Sequence, residues 1–292
     1  MRRPGQGEAL VAWAAWGAIA FAVLVTYSRI DPADTYNVSR HGLVGGLSRS
    51  LTLVNFPIAL VAIALALIAV AALPRTAWWV AGPAIALCGT IPWFVDQGDL
   101  DARWVNVIPA FGVLIAGGLT AAATSRVGRS FAPRLRGDRL RVIAAIVVLV
   151  LSLPWVTAEL GFHFPGDLFL GEELGRESDG REIAAVHLGH HHGTDGALLF
   201  VTALLLSRIR VPRGRLRIAV SGYLGAMLAY GAVNCAQDFW HEQVVKRGWT
   251  DVGIPSALLP GARPIWLVIV VLAALATLAL LRETKSASYS AA

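Results

Sequence analysis

Long apolar stretches alternate with short polar stretches along the whole chain, and this pattern predicts transmembrane helices. Eight apolar segments are each at or near the length of roughly 20 residues that crosses a bilayer. They end at prolines, glycines or clusters of charge, and they cover residues 9–28, 51–72, 77–95, 104–124, 140–160, 187–207, 218–240 and 264–281. The sequence therefore predicts an all-α integral membrane protein with eight transmembrane helices.

The composition agrees with this pattern. Hydrophobic residues make up 56% of the 292 residues and charged residues only 15%, whereas a soluble domain carries about 25% charged residues. The composition excludes a soluble enzyme, a disordered protein and a coiled coil. The first segment follows Arg2 and Arg3, as in a signal peptide, but it is not followed by a small-residue cleavage site. We therefore expect this segment to be a membrane span.

The charged residues predict how the helices are oriented. The polar segments on one side of an eight-span topology carry 16 of the 25 Lys and Arg residues and three of the 19 Asp and Glu residues. That side has a net charge of +13 and the other side −7. Because cytoplasmic loops carry the excess of Lys and Arg, both termini are expected to be cytoplasmic in a multi-pass cell-membrane protein. The outer loops are then 28–50, 96–103, 161–186 and 241–263.

The formal net charge of +6 does not indicate nucleic-acid binding in this setting. The most basic segment, 125–141, falls in a predicted cytoplasmic loop, where Lys and Arg interact with anionic lipid headgroups. We therefore expect membrane lipids as partners and no nucleic acid.

The two halves of the chain resemble each other in the order of spans and loops. Gly89 and Asp96 lie seven residues apart at the end of the third segment, and Gly231 and Asp238 have the same spacing at the end of the seventh. Four spans in each half predict two parallel four-helix repeats. The predicted division is a first repeat at 1–126, a basic cytoplasmic linker at 127–138, a second repeat at 139–284 and a tail at 285–292.

All seven histidines fall on the predicted outer side, and six of them gather at three helix ends of the second repeat. Residues three or four apart share one face of a helix, and several acid and imidazole pairs have this spacing. Helical bundles hold metals through such pairs. The predicted ligands of a metal site are His187, His190, His191, Asp238 and His241.

Imidazole and carboxylate ligands suit a divalent transition metal, here Zn or Fe and also Cu. The predicted function is a membrane enzyme that acts on a lipid or another apolar substrate near the outer face, by hydrolysis or by oxidation. Glu159 or Glu242 would act as the general acid or base. The alternatives are a transporter or handling protein for metal cations or small solutes that uses the same residues, and a structural subunit of a membrane complex.

Charged residues are expected only at the ends of the apolar segments, as for Asp96, Glu159 and Asp238. An ion pump more usually carries one in the middle of a span, so this distribution favours the enzyme over the transporter. Cys88 and Cys235 lie inside apolar segments. They are expected to be small core residues rather than disulfide partners or metal ligands.

Overall fold

The computed structural model describes residues 5–96, 98–166, 168–176, 182–188, 192–212 and 214–289. Its main elements are helices, and a two-stranded antiparallel hairpin of β1 (Leu174–Arg176) and β2 (Glu182–Ala184) lies in the longest connection. The helices of the described part are α1 (Gly7–Tyr27), α2 (Gly42–Ala72), α3 (Arg75–Phe94), α4 (Trp104–Val127), α5 (Asp138–Leu151), α6 (Leu153–Glu159), α7 (His192–Leu206), α8 (Arg215–Val245) and α9 (Pro264–Tyr289).

Six of these helices are long and apolar enough to cross a membrane: α1, α2, α3, α4, α8 and α9. Helices α5 and α6 together would make a seventh span that is bent by 63°. The bend falls beside Pro154 in the first turn of α6, because proline has no N–H with which to continue the hydrogen bonding of the preceding helix. Helix α7 has only 15 residues. The mainly helical fold is confirmed, with six or seven apolar helices that could cross a membrane, whereas eight spans and an internal repeat remain predictions.

Helix α2 is the centre of the bundle. In its most apolar window 78% of the residues are buried, compared with 6% in α9 at the edge. It begins at Gly42, nine residues before the predicted boundary, and it contains a π-helical turn at Val54–Ile58. The extra N-terminal turns bring a charged side chain, Arg49, into the interior of the bundle.

Small residues allow the helices to approach closely, as in other membrane bundles. A Cβ atom on Gly46 of α2 would lie 2.3 Å from the carbonyl oxygen of Leu24 in α1. Gly196 of α7 and Gly231 of α8 face each other in the same way, because a Cβ on either would lie within 2.7 Å of the other's carbonyl oxygen. These contacts fix α2 against α1 and α7 against α8.

The polar segments meet at two opposite ends of the bundle. At the basic end, Glu8 of α1 accepts hydrogen bonds from Arg208 (3.3 Å) and from the amide of Ala132 (2.9 Å), and Arg208 also pairs with Asp138. This joins the N-terminal region, the linker and the connection after α7 at one end, as the charge pattern predicts. At the opposite, acidic end, the ends of α1, α6 and α7 lie beside Arg49.

Candidate functional site

A buried ion pair joins the two halves of the chain at the acidic end. The guanidinium of Arg49 donates to the carboxylate of Glu159 at 3.1 Å, and the side chains are only 6% and 13% exposed. The hydroxyl of Tyr27 donates to the other oxygen of Glu159, also at 3.1 Å. Arg49 lies over the Tyr27 ring, with 5.4 Å between the guanidinium carbon and the ring centroid. Each charge therefore has a partner, which an ion pair in an apolar interior requires.

Two features of α2 position Arg49. The close approach at Gly46 and the hydrogen bond from Ser50 to the carbonyl of Ala20 (3.0 Å) hold this turn against α1. Asp101, before α4, accepts hydrogen bonds from the Ser39 amide (2.8 Å) and the Ser48 hydroxyl (3.3 Å) and thereby fixes the start of α2. Arg49 is thus held next to the C-terminus of α1.

Glu159 reaches Arg49 because α6 turns away from the axis of α5. Glu159 is the last residue of α6, and the chain then turns at Gly161, which has a φ of +83°. A side chain at this position would be strained in that conformation, and its Cβ would also lie 3.1 Å from Thr26 of α1. The glycine therefore lets the end of α6 lie directly against the end of α1.

A polar cavity of about 40 Å³ lies on one side of Arg49. Asp96 and Asp99 line it and are exposed to solvent, and Asn55 from the π-helical turn of α2 also lines it. Asp195, in the first turn of α7, lines the cavity together with Arg49. Polar walls and an exposed mouth make this cavity suitable for water.

An apolar cavity of about 90 Å³ lies beside Glu159 of the same cluster. Its walls come from α1, α2, α6 and α7, and Leu160 at its edge is 47% exposed. Its polar lining consists of Glu159, Thr194 and Asp195. Asp195 is therefore in the wall of both cavities. The apolar lining residues are Ile19, Ala22, Val23, Leu53, Val156, Leu160 and Leu198.

Asp195 and Thr194 are buried, with 8% and 6% of their surface exposed. Within the described residues, the Thr194 hydroxyl has no hydrogen-bond partner, and Asp195 next to it lines the same apolar cavity. A buried polar atom without a partner is costly. A bound molecule that forms hydrogen bonds to these two groups would therefore gain the most binding free energy.

A third cavity, of about 180 Å³, lies between α2, α3, α8 and α9 and has almost only apolar walls. Its two tyrosine hydroxyls already donate to backbone carbonyls, Tyr223 to Leu60 at 2.8 Å and Tyr230 to Leu258 at 2.9 Å. It offers hydrophobic contact but no reactive group.

The predicted metal ligands are distributed differently from the expected cluster. His190 and His191 lie outside the described residues. The ring of His187 packs on the ring of Tyr36, with 4.5 Å between centroids. Asp238 accepts a hydrogen bond from the amide of Gly193 and thus stabilises the start of α7, where the helix dipole favours a negative charge.

His241 and Glu242 belong to a second π-helical turn, at His241–Val245 in α8. Nε2 of His241 lies 2.7 Å from the carbonyl oxygen and 3.0 Å from the amide nitrogen of Ile254. Glu242 accepts a hydrogen bond from the indole of the fully buried Trp155. Both side chains have partners that hold the surrounding segments in place.

The same turn also anchors the long connection that contains the hairpin. The side-chain amide of Gln243 pairs with the backbone of Leu170, at 2.7 Å and 3.1 Å, and Lys246 donates to the carbonyl of Ala185 at 2.8 Å. Within this connection the Gly171 amide donates to Glu173 at 2.6 Å, and this bond lowers the pKa of the Glu173 carboxyl. The connection is therefore held to the acidic end by α8.

In the part of the chain that the structure describes, no group of three or more His, Cys, Asp or Glu side chains is arranged to hold a metal ion. Of the predicted catalytic pair, Glu159 pairs with Arg49 and lines the apolar cavity, and Glu242 accepts the hydrogen bond from Trp155. The predicted set of ligands and catalytic residues included neither Arg49 nor Asp195. Arg49 could have been identified from the sequence, because it is a charged residue in a segment that continues directly into an apolar helix.

No family model matches the chain, and neither a curated protein nor a solved structure shows a significant similarity to it.

Proposed function

We propose that this protein is a membrane enzyme that hydrolyses a lipid-like substrate at Asp195. One observation carries the proposal: Asp195 lies in the wall of a polar cavity and of an apolar cavity. The first cavity can supply water and the second can hold an apolar chain. A carboxylate between them is positioned to act as a general base.

The proposed hydrolysis needs only water and side chains of this protein. The Asp195 carboxylate removes a proton from a water molecule in the polar cavity, and the water oxygen bonds to the carbonyl carbon of an ester or amide. The bond from that carbon to the leaving oxygen or nitrogen then breaks, and the leaving atom takes the proton from Asp195. The positive charge of Arg49 lies beside Asp195 and favours the negative charge that develops on the carbonyl oxygen.

Glu159 acts through Arg49 in this proposal. Its ion pair fixes the guanidinium in the lining of the polar cavity, and precise placement of such a charge is a large part of catalysis. A mechanism with a Zn-, Fe- or Cu-bound water would require His190 and His191, so it remains a prediction for these residues. A metal analysis of the purified protein tests it.

A carrier is the second candidate, because the Arg49–Glu159 pair connects residues of the two halves of the chain. Transporters with repeated halves bind their substrates at such an interface. A carrier would move a labelled amphiphile into sealed liposomes without changing it, whereas the proposed enzyme releases new products.

We also propose that the acidic end faces the outside and that both termini are cytoplasmic, because the basic end carries the Lys and Arg excess. A thiol-reactive, membrane-impermeant label tests this on Ser130→Cys at the basic end and Val252→Cys at the acidic end. The native Cys88 and Cys235 are buried. The label should reach Val252→Cys in intact cells and Ser130→Cys only after permeabilisation. The opposite result would reverse the orientation.

The function is tested by incubating the purified protein in lipid nanodiscs with a total lipid extract and following the lipids by mass spectrometry. The wild type should convert one lipid class into a free acid, and Asp195→Asn should not. Asp251→Asn makes the same chemical change at an exposed position and should retain full turnover. If the wild type and Asp195→Asn leave the same lipids, Asp195 is not the base of a lipid hydrolase.

A further inference from the structure

The apolar cavity combines apolar walls with a polar floor, which is formed by the side chains of Glu159, Thr194 and Asp195. Seven apolar residues form its walls, whereas its polar lining consists of two carboxyl groups and one hydroxyl, from Glu159, Asp195 and Thr194. Among the described residues that line it, none is basic. Every polar group of this cavity is therefore an acceptor or can serve as one.

The charge of the cluster is not balanced around Asp195. The charge of Arg49 acts on Asp195, but its guanidinium is already bonded to Glu159. Asp238, the next acid, accepts the Gly193 amide. The Thr194 hydroxyl is left without a hydrogen bond from the described residues, and Asp195 lies next to it in the lining of the same cavity. A ligand that donates hydrogen bonds and carries a positive charge would satisfy both groups.

We propose that the apolar cavity binds a long-chain primary ammonium group, and that this amine is the leaving group of the reaction. An ammonium has three N–H donors, enough to bond to the Thr194 hydroxyl and to both oxygens of Asp195. The hydrocarbon chain would lie along the seven apolar residues and leave the protein past Leu160.

Other ligands fit this cavity less well. A phosphate or carboxylate headgroup would face two carboxyls and would find no free cation in the described cavity lining. A bare metal ion would need several more oxygen ligands than this floor supplies. An alcohol can bond to Thr194 and Asp195, but it carries no charge to balance the carboxylate.

This inference rests on the proposed function and narrows its substrate to an amide. Attack of water on the amide carbon breaks the carbon–nitrogen bond and gives a carboxylic acid and an amine. The proton of the acid then passes to the amine, so that the products are a carboxylate and an ammonium ion. The ammonium stays at Asp195, and the carboxylate is repelled from the acidic floor.

Binding of dodecylamine tests the inference without any turnover, because dodecylamine contains no bond that the enzyme can hydrolyse. Binding to the protein in neutral-lipid nanodiscs is measured by native mass spectrometry, with dodecanol and dodecyl phosphate as probes of equal chain length. Dodecylamine should bind at least about tenfold more tightly than either, since hydrogen bonds to charged groups are the stronger class.

Two variants link the binding to the cavity floor. Asp195→Asn removes the charge and should weaken dodecylamine binding about tenfold or more, and Thr194→Val removes only the hydroxyl and should weaken it about fivefold. Asp251→Asn is the control and should bind dodecylamine as the wild type does. Unfolding temperatures close to that of the wild type confirm that each variant is folded.

The outcomes separate this inference from the proposed function. Equal binding of dodecylamine and dodecanol, or equal dodecylamine binding by Thr194→Val, Asp195→Asn and the wild type, would overturn the ammonium site, even if the protein hydrolyses an ester lipid. Selective binding that is lost in both variants would support the site, even if no lipid is hydrolysed.

Discussion

Removal of the Arg49 side-chain charge should destabilise the protein strongly. The side chains of Arg49 and Glu159 are 6% and 13% exposed and lie 3.1 Å apart, so Arg49→Met leaves a carboxylate in an apolar interior without its cation. Loss of one partner of a buried pair costs about 3–5 kcal/mol, whereas replacement of both partners by neutral groups of similar size is far less costly. Arg49→Met should therefore lower the free energy of unfolding by about 3–5 kcal/mol.

A double-mutant cycle isolates the ion pair from other effects of the substitution. Unfolding is followed in mixed micelles by the fluorescence of the ten tryptophans, for the wild type, Arg49→Met, Glu159→Gln and the double variant. The double variant should be more stable than Arg49→Met, with a coupling energy above about 1.5 kcal/mol. A loss below about 1 kcal/mol for Arg49→Met, typical of exposed pairs, would refute the conclusion that the pair is buried and connects the two halves.

Three further substitutions test the contacts around the site. Trp155→Phe removes the indole donor to Glu242 and should lower the free energy of unfolding by about 1–3 kcal/mol; an unchanged value would contradict this contact. His241→Ala should increase hydrogen exchange at the Ile254 amide and leave the metal content unchanged, and a loss of bound metal would instead identify His241 as a ligand. Gly46→Ala should lower stability by about 1–3 kcal/mol through overpacking; wild-type stability would show that α1 and α2 are not in close contact.

The hydropathy pattern was sufficient to predict the helical membrane fold, because apolar length is a local property of the chain. It placed the start of the second span at residue 51, whereas α2 begins at Gly42. The first turns of α2 contain glycines, serines and Arg49, which lower their hydropathy. Burial of Arg49 is compensated by Glu159, 110 positions away in the sequence, and such a partner cannot be identified from hydropathy.

The candidate site could be predicted only in part, because its contacts also join residues that are far apart in the sequence. The acid and histidine spacings pointed to the acidic end of the second half, where Glu159 lines the apolar cavity. The spacing of His241 and Glu242 suggested chemistry, but their π-helical turn and their contacts to Ile254 and Trp155 depend on tertiary packing. Asp195 was not among the predicted site residues, since its position in the walls of two cavities depends on the packing of several helices.

The central claim is that water from the polar cavity attacks an apolar substrate at Asp195, and incorporation of ¹⁸O tests it most directly. The purified protein in nanodiscs is incubated with the lipid extract in H₂¹⁸O, and the released acid is weighed by mass spectrometry. The account predicts one ¹⁸O atom in the acid from the wild type and no labelled acid from Asp195→Asn. Labelled acid at the same rate from both proteins, or no labelled acid from the wild type, would contradict it.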